Sequence, residues 1–173
     1  ALCPKQIIRL SKQIKAKLEV NLFYANEKRK NAIVKTLKNN GAKEILGTNH
    51  KTSIKLPGID SARRIVDKNG IFAADVVIVP LEDGDRTIAL RKAGKIVITF
   101  DLNPLSRTSH TANITIVDNV TRAIDLLIDE SKKLSKKKPK SLQKIVDGFD
   151  NKNNLTENVI QIKNNLTRRA RIA

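Results

Sequence analysis

The chain has 173 residues, a formal net charge of +17, 40% hydrophobic residues and only 3% aromatic ones, so it suits one domain with a core built from Ile, Leu, Val and Ala. Its single cysteine, Cys3, excludes an intrachain disulfide framework and points to a reducing, cytoplasmic setting, and with His50 and His110 it makes no usual zinc set. No apolar run approaches the ~18 residues of a membrane span, and no signal peptide is visible.

In chain order, Pro4 to Ala16 reads as a helix, with proline in the first turn and Ile7, Leu10 and Ile14 on one face. Leu18–Tyr24 alternates as a strand. Asn26 is placed to cap a helix that runs to Asn39 and ends at Gly41 in a left-handed conformation. Lys43–Leu46 reads as a short strand, Gly47–Pro57 as a loop, Ile59–Val66 as irregular or a single helical turn, and Asp67–Gly70 as a turn. Three β-branched runs follow, Val76–Val79, Ile96–Phe100 and Ile114–Val117, each without internal alternation, as expected of strands covered on both faces. A helix from Arg86 to Ala93, stopped by Gly94, separates the first two. Val120–Leu134 is an amphipathic helix with Asp118 or Asn119 as its N-cap. Strands alternating with helices predict an α/β fold with a mostly parallel sheet flanked by helices.

Two parts are expected: an α/β domain over residues 1–134, and a basic linker with a helical extension over 135–173. The linker Ser135–Lys140 is charged, and Pro139 is expected to prevent a helix there. Beyond it, Leu142–Val146 and Leu155–Leu166 read as short helices, with a frayed end from Thr167. From Ser131 onward there are 12 Lys or Arg against 3 Asp or Glu, a net +9. Charge of this density attracts polyanions, although a solvated lysine-rich tail accounts for it without a ligand.

In open α/β sheets the ligand lies outside the carboxyl ends of the strands, so the loops after the three apolar runs are the candidate site. The first holds Asp83, Gly84, Asp85, Arg86 and Thr87. Arg86, Thr87 and first-turn amides suit a phosphate, and the two aspartates suit Mg²⁺ through water. In the second, Asp101 is placed to accept ribose hydroxyls or to satisfy its own turn. Asn103 there can read an adenine edge or brace the backbone, and Arg107 and Thr108 can take phosphate. Asp118 and Asn119 open a helix whose N-terminus suits an anionic or polar ligand. The chain has neither a G-x-x-x-x-G-K-[ST] nor a G-x-G-x-x-G motif, which sets aside P-loop nucleotidases and standard nicotinamide dehydrogenases. Ser109 and His110 are neighbours in sequence only, a weak signal for nucleophilic chemistry.

The motifs PLEDGDRT (80–87), DLNPLSRT (101–108) and IVDN (116–119), with LEVNLFY (18–24) upstream, carry a resemblance that extends from about Ala1 to the tail. The sequence resembles the archaeal phosphopantothenate synthetases, or 4-phosphopantoate–β-alanine ligases, of coenzyme A biosynthesis. That resemblance implies a Rossmann-like fold, a homodimer, and ATP with Mg²⁺ as cofactors. It implies ATP-driven adenylation of the 4-phosphopantoate carboxylate, then displacement of AMP by the β-alanine amine to give 4′-phosphopantothenate. The ATP-binding residues it implies are Asp101, Leu102, Asn103, Arg107, Thr108, Asn119 and Val120, with Asp83, Gly84, Asp85, Arg86 and Thr87 for phosphate or substrate. The family also has an N-terminal helical region and a strand, with basic site residues, ahead of this point. The chain starts at Ala1 without methionine, so a processed chain or a fragment is expected, and a fragment that binds nucleotide without turnover is one outcome. The rival expectation is a nucleic-acid-binding or assembly module anchored by Lys132–Lys140 and Arg168–Arg171.

Overall fold

The computed structural model describes residues 3–22, 26–58, 62–80 and 83–172. Helix α1 (Pro4–Ile14) starts with proline in its first turn, and α2 (Glu27–Asn39) is capped by Asn26, whose side chain accepts the Arg29 N–H. Gly41 takes its expected positive φ of 95° after α2. The predicted strands at 18–24 and 43–46 reduce to one parallel bridge, Glu19 to Leu46, and the Phe23 and Tyr24 end of the first lies outside the described residues. The reason is side-chain use: Glu19 turns its carboxylate onto the Asp67 and Ile71 N–H groups, at 3.0 and 2.7 Å, which ties this segment to a turn rather than extending a ladder.

The stretch expected to be loop and irregular chain holds an antiparallel ribbon, β1 (Ser53–Lys55) and β2 (Ile65–Asp67), each entered by a 3₁₀ turn, at His50–Thr52 and Ala62–Arg64. Three residues per strand are too few to show a period in sequence.

The main sheet is β3 (Val76–Val79), β4 (Ile96–Phe100) and β5 (Ile114–Ile116), all parallel and in the order of the chain. Residues alternate between its faces. Val77, Val79 and Val97 pack with Leu56, Val66, Ala89 and Leu90 on one side, under α3 (Gly84–Lys92) and the ribbon. Ile78, Phe100 and Ile116 pack on the other side with Leu10 of α1 and Ala123, Ile124 and Ile128 of α5 (Val120–Leu134). Leu90 and Val97 are fully buried, and side chains of this size contribute about 1.5–3 kcal/mol each. The helix α4 (Arg107–Thr111) is the crossover between β4 and β5, with Ser106 as its N-cap.

Pro139 does not prevent a helix; it begins one. It stands at the start of α6 (Pro139–Asp147), where its missing N–H costs nothing and its fixed φ suits a first turn. The next helix, α7 (Asn151–Ala170), runs past the point where fraying was expected. Its start docks on the open edge of β5: the Thr115 N–H donates to Asn151 Oδ1 at 2.9 Å, and Asn154 Nδ2 donates to the Thr115 carbonyl at 3.0 Å. Two asparagines thus cover the unpaired groups of an edge strand, and Leu155 is buried behind them. Among the described residues no helix is long and apolar enough to cross a membrane.

Candidate functional site at the carboxyl edge of the sheet

Because the three strands are parallel, the chain leaves β3, β4 and β5 on one edge. The loop after β4 is held by its own side chains. Asp101 is buried, and its carboxylate accepts the Asn103 N–H at 2.9 Å and the Ser106 hydroxyl. Asn103 Oδ1 accepts the Leu105 N–H at 2.9 Å, and the Ser109 hydroxyl donates to the Asn103 carbonyl at 2.8 Å. Of the two roles open to Asp101 and Asn103, bracing the turn is the one their bonds display. What this braced loop presents outward is Leu102 and Leu105, 67% and 66% exposed, together with Arg107.

The loop after β3 is occupied by charge. Asp83 caps α3 by accepting the Arg86 N–H at 3.3 Å, and its buried carboxylate is paired with Arg86 Nε at 2.8 Å and with the Arg63 guanidinium. Asp85 pairs with Arg107 at 2.7 Å, so the first and second loops are joined across the edge. Gly84 is what permits this approach: a Cβ there would lie 2.6 Å from Arg107 Nε. Thr87 and Thr108, on the packed helices α3 and α4, are fully buried, and neither hydroxyl has a hydrogen-bond partner. Leu81 and Glu82 lie outside the described residues.

The third loop supplies a cap. Of Asp118 and Asn119, Asn119 is the N-cap of α5, and its Oδ1 accepts the Thr121 N–H at 2.9 Å and hydroxyl at 2.6 Å. The Asp118 carboxyl is held below its ordinary value chiefly by the hydrogen bond from Arg122, which outweighs its partial burial. Val120, partly buried, packs its side chain against the apolar cluster under α5. Asn119 shares the edge with Asp101, but among the described residues no hydrogen bond joins it to the first two loops.

Three residues of this arrangement were missed in sequence. Arg63 lies 20 positions before Asp83 in an unpatterned stretch. Ser106 read as part of a polar loop and Ser109 only as a weak nucleophile signal beside His110, and the short helix that Ser106 caps was not predicted. The acidic pair does not fit a protein-built cation cradle in this conformation, because Asp83 and Asp85 are both engaged by guanidinium groups. Among the described residues no group of three or more His, Cys, Asp or Glu side chains is gathered as a metal site. What the edge offers chemically is two exposed leucines, the Arg107 guanidinium and the N-termini of α3 and α5.

The family model described as phosphopantothenate/pantothenate synthetase matches residues 1–165. A 4-phosphopantoate–β-alanine ligase of Thermococcus kodakarensis is 46% identical over 171 residues, covering 98% of this chain and 65% of that relative. The ligase of the same name from Methanosarcina mazei is 45% identical over 166 residues, covering 96% of this chain and 64% of the relative. That of Thermococcus onnurineus is 44% identical over 171 residues, covering 98% and 65%. The chain therefore spans less than two thirds of the length of these curated relatives.

Proposed function

This chain belongs to the phosphopantothenate/pantothenate synthetase family, and we propose that it forms the nucleotide-binding part of an ATP-dependent ligase joining 4-phosphopantoate to β-alanine. The observation that carries this reading is the Arg107–Asp85 pair over Gly84. It places a guanidinium between the loop assigned to ATP and the helix N-terminus assigned to phosphate or substrate.

ATP supplies the activation: adenylyl transfer to the 4-phosphopantoate carboxylate releases pyrophosphate and makes AMP the leaving group for the β-alanine amine. The chain's own part is positioning and charge stabilisation. Arg107 exchanges its exposed partner Asp85 for a phosphate oxygen. Leu102 and Leu105 flank the base, and the backbone of 101–103 follows the nucleoside. The first turn of α3, with Arg86 held by Asp83, faces an anionic group. Asp83, bound to Arg63 and Arg86, would not hold Mg²⁺; a divalent ion carried by the phosphates would supply charge neutralisation.

The family reading includes a homodimer. Its support is the apolar spacing Leu155, Val159, Ile162 and Leu166 on α7, which is that of a coiled-coil seam and becomes more exposed toward the helix end. The preceding helix, α6, buries none of its residues and exposes Ile145 and Val146, with Phe149 just beyond its end. A helix this short is marginal alone, and a second copy of the same seam completes it.

The deciding experiment is AMP release. Incubation with ATP, 4-phosphopantoate and β-alanine is expected to give AMP and 4′-phosphopantothenate in equal amounts, for this chain or for a version extended to the relatives' length. An extended chain that forms no product, yet binds RNA with an affinity that collapses as salt rises, would overturn the reading.

A further inference from the structure

The start of α7 is hydrogen-bonded to more than the sheet edge. Asn151 Nδ2 donates to the Ser109 carbonyl at 3.0 Å and to the Ala112 carbonyl at 3.2 Å, while Asn151 Oδ1 accepts the Thr115 N–H. One amide orientation satisfies all three bonds, and no other side chain of this size offers a donor and an acceptor so disposed. Ser109 is the residue these bonds reach, and it is fully buried. Its hydroxyl donates to the Asn103 carbonyl, and its N–H donates to Ser106 Oγ at 3.0 Å, which in turn donates to Asp101. Four short links therefore run from the C-terminal helix through Ser109 to the loop proposed for ATP.

We infer that Asn151 is a positioning residue for the nucleotide loop, acting through Ser109 to hold residues 101–106 in their ligand-ready turn. The inference rests on the ATP reading of that loop for its functional meaning, though not for its physical content. A loop anchored at one end by β4 and at the other by a five-residue helix is only as rigid as that helix. Isolated helices of this length do not persist in water. The Asn151 amide closes over the carbonyls at the end of α4, where the backbone has no further helical partner. Remove it, and the Ser109 carbonyl keeps only the Thr115 hydroxyl, at 2.9 Å. Coupling of this kind travels through a contiguous set of bonds and is measurable at each of them. The C-terminal extension is thus part of the binding apparatus through its first turn, whatever its remaining length does.

Asn154 provides the internal control. It lies one turn along on the same helix and bonds the same strand, through the Thr115 carbonyl, but makes no bond to Ser109. The test is amide hydrogen exchange of the full chain, read at Leu105 and Ser109, with ATP affinity measured by calorimetry. Asn151→Ala is expected to speed exchange at both amides by about tenfold and to weaken ATP binding by about tenfold, the worth of one hydrogen bond. Asn154→Ala is expected to leave both unchanged at an equal loss of Tm. Should Asn151→Ala fold poorly, Asn151→Ser keeps a polar group at the helix start and carries the same expectation. Exchange at Leu105 and Ser109 that stays at the wild-type rate in the Asn151 variant, or that rises equally in both variants, overturns the inference. If the loop amides respond but the wild-type chain takes up no ATP, the positioning role stands and the nucleotide reading of the loop falls.

Discussion

Asp83 meets Arg86 twice, through the backbone N–H at 3.3 Å and through the side-chain Nε at 2.8 Å, while a third bond brings in Arg63 from the turn before β2. One buried carboxylate thus caps a helix and fastens the antiparallel ribbon to the parallel sheet. Asp83→Ala is expected to destabilise the chain by about 3 kcal/mol, because it strips a cap and leaves two part-buried guanidiniums without their shared anion. Asp83→Asn, which keeps the cap acceptor, is expected to cost clearly less. Urea unfolding of both variants measures the difference; equal losses would show that the charge is immaterial.

Arg107 is expected to matter for ligand and not for stability. Its pair with Asp85 is about two-thirds exposed on both sides, and such pairs contribute about 0–1 kcal/mol. Arg107→Ala should therefore unfold close to wild type, yet bind ATP more weakly by about 1.5–3 kcal/mol. Lys137→Ala, on an exposed lysine just after α5, should do neither. Equal loss of ATP affinity in both variants would mean that diffuse charge binds the nucleotide.

Gly84→Ala should separate the same two properties more sharply. The three atoms nearest the added Cβ all belong to the far end of Arg107, which can swing away, so stability is expected to hold or to rise by about 0.5 kcal/mol from the better helix former. ATP affinity is expected to fall, because the guanidinium is pushed from its place. Calorimetric binding beside a thermal melt reads both, and unchanged affinity would show that the Arg107 position is not used.

The carboxylates of Asp67, at the end of β2, and of Glu19, which accepts the Asp67 N–H, should oppose each other in acid. Burial pushes the Asp67 carboxyl up, but bonds from the Thr52 hydroxyl and the Asn69 and Gly47 N–H groups outweigh it and hold it below the ordinary 3.8. Below 3.8 the unfolded chain binds the proton more readily, so this stabilisation is present above that pH and is lost as pH falls through the folded value. Burial raises the Glu19 carboxyl above 4.5 despite its two backbone bonds and the Arg86 charge. Its contribution has the other sign: present below 4.5, it is lost as pH rises through the folded value. Urea midpoints across the acid range should therefore flatten below 3.8 in Asp67→Asn, and above 4.5 in Glu19→Gln. Curves parallel to wild type in both variants would refute the assignment.

Neutralising Lys136, Lys137, Lys138 and Lys140 together is expected to lower binding to polyanions and leave the outcome of the AMP-release assay unchanged, since the first three lie on the exposed run between α5 and α6 and Lys140 is exposed in the first turn of α6. A large loss of turnover would place the run in the site.

The sequence by itself determined the elements whose signals are local. Asn26, and the pair Asp118 and Asn119, marked their helix starts because a cap is a bond between residues two or three apart, although only the structure chose Asn119, and Gly41 and Gly94 marked helix ends because only glycine enters the left-handed region without cost. The three apolar runs also showed a covered parallel sheet, whose geometry alone gathers their loops on one edge. Tertiary structure decided what depends on distant partners. The ribbon at Ser53 and Ile65 has too few residues per strand to carry a period, and it exists because Leu56 and Val66 pack beneath Val77 and Val79. Asp101 and Asp83 were visible as carboxylates at strand ends, but not that one braces its own loop and the other holds Arg63. Nor could sequence tie Asn151 to Ser109, 42 positions away, since an amide that fits three backbone groups at once is specified by where the folded chain puts those groups.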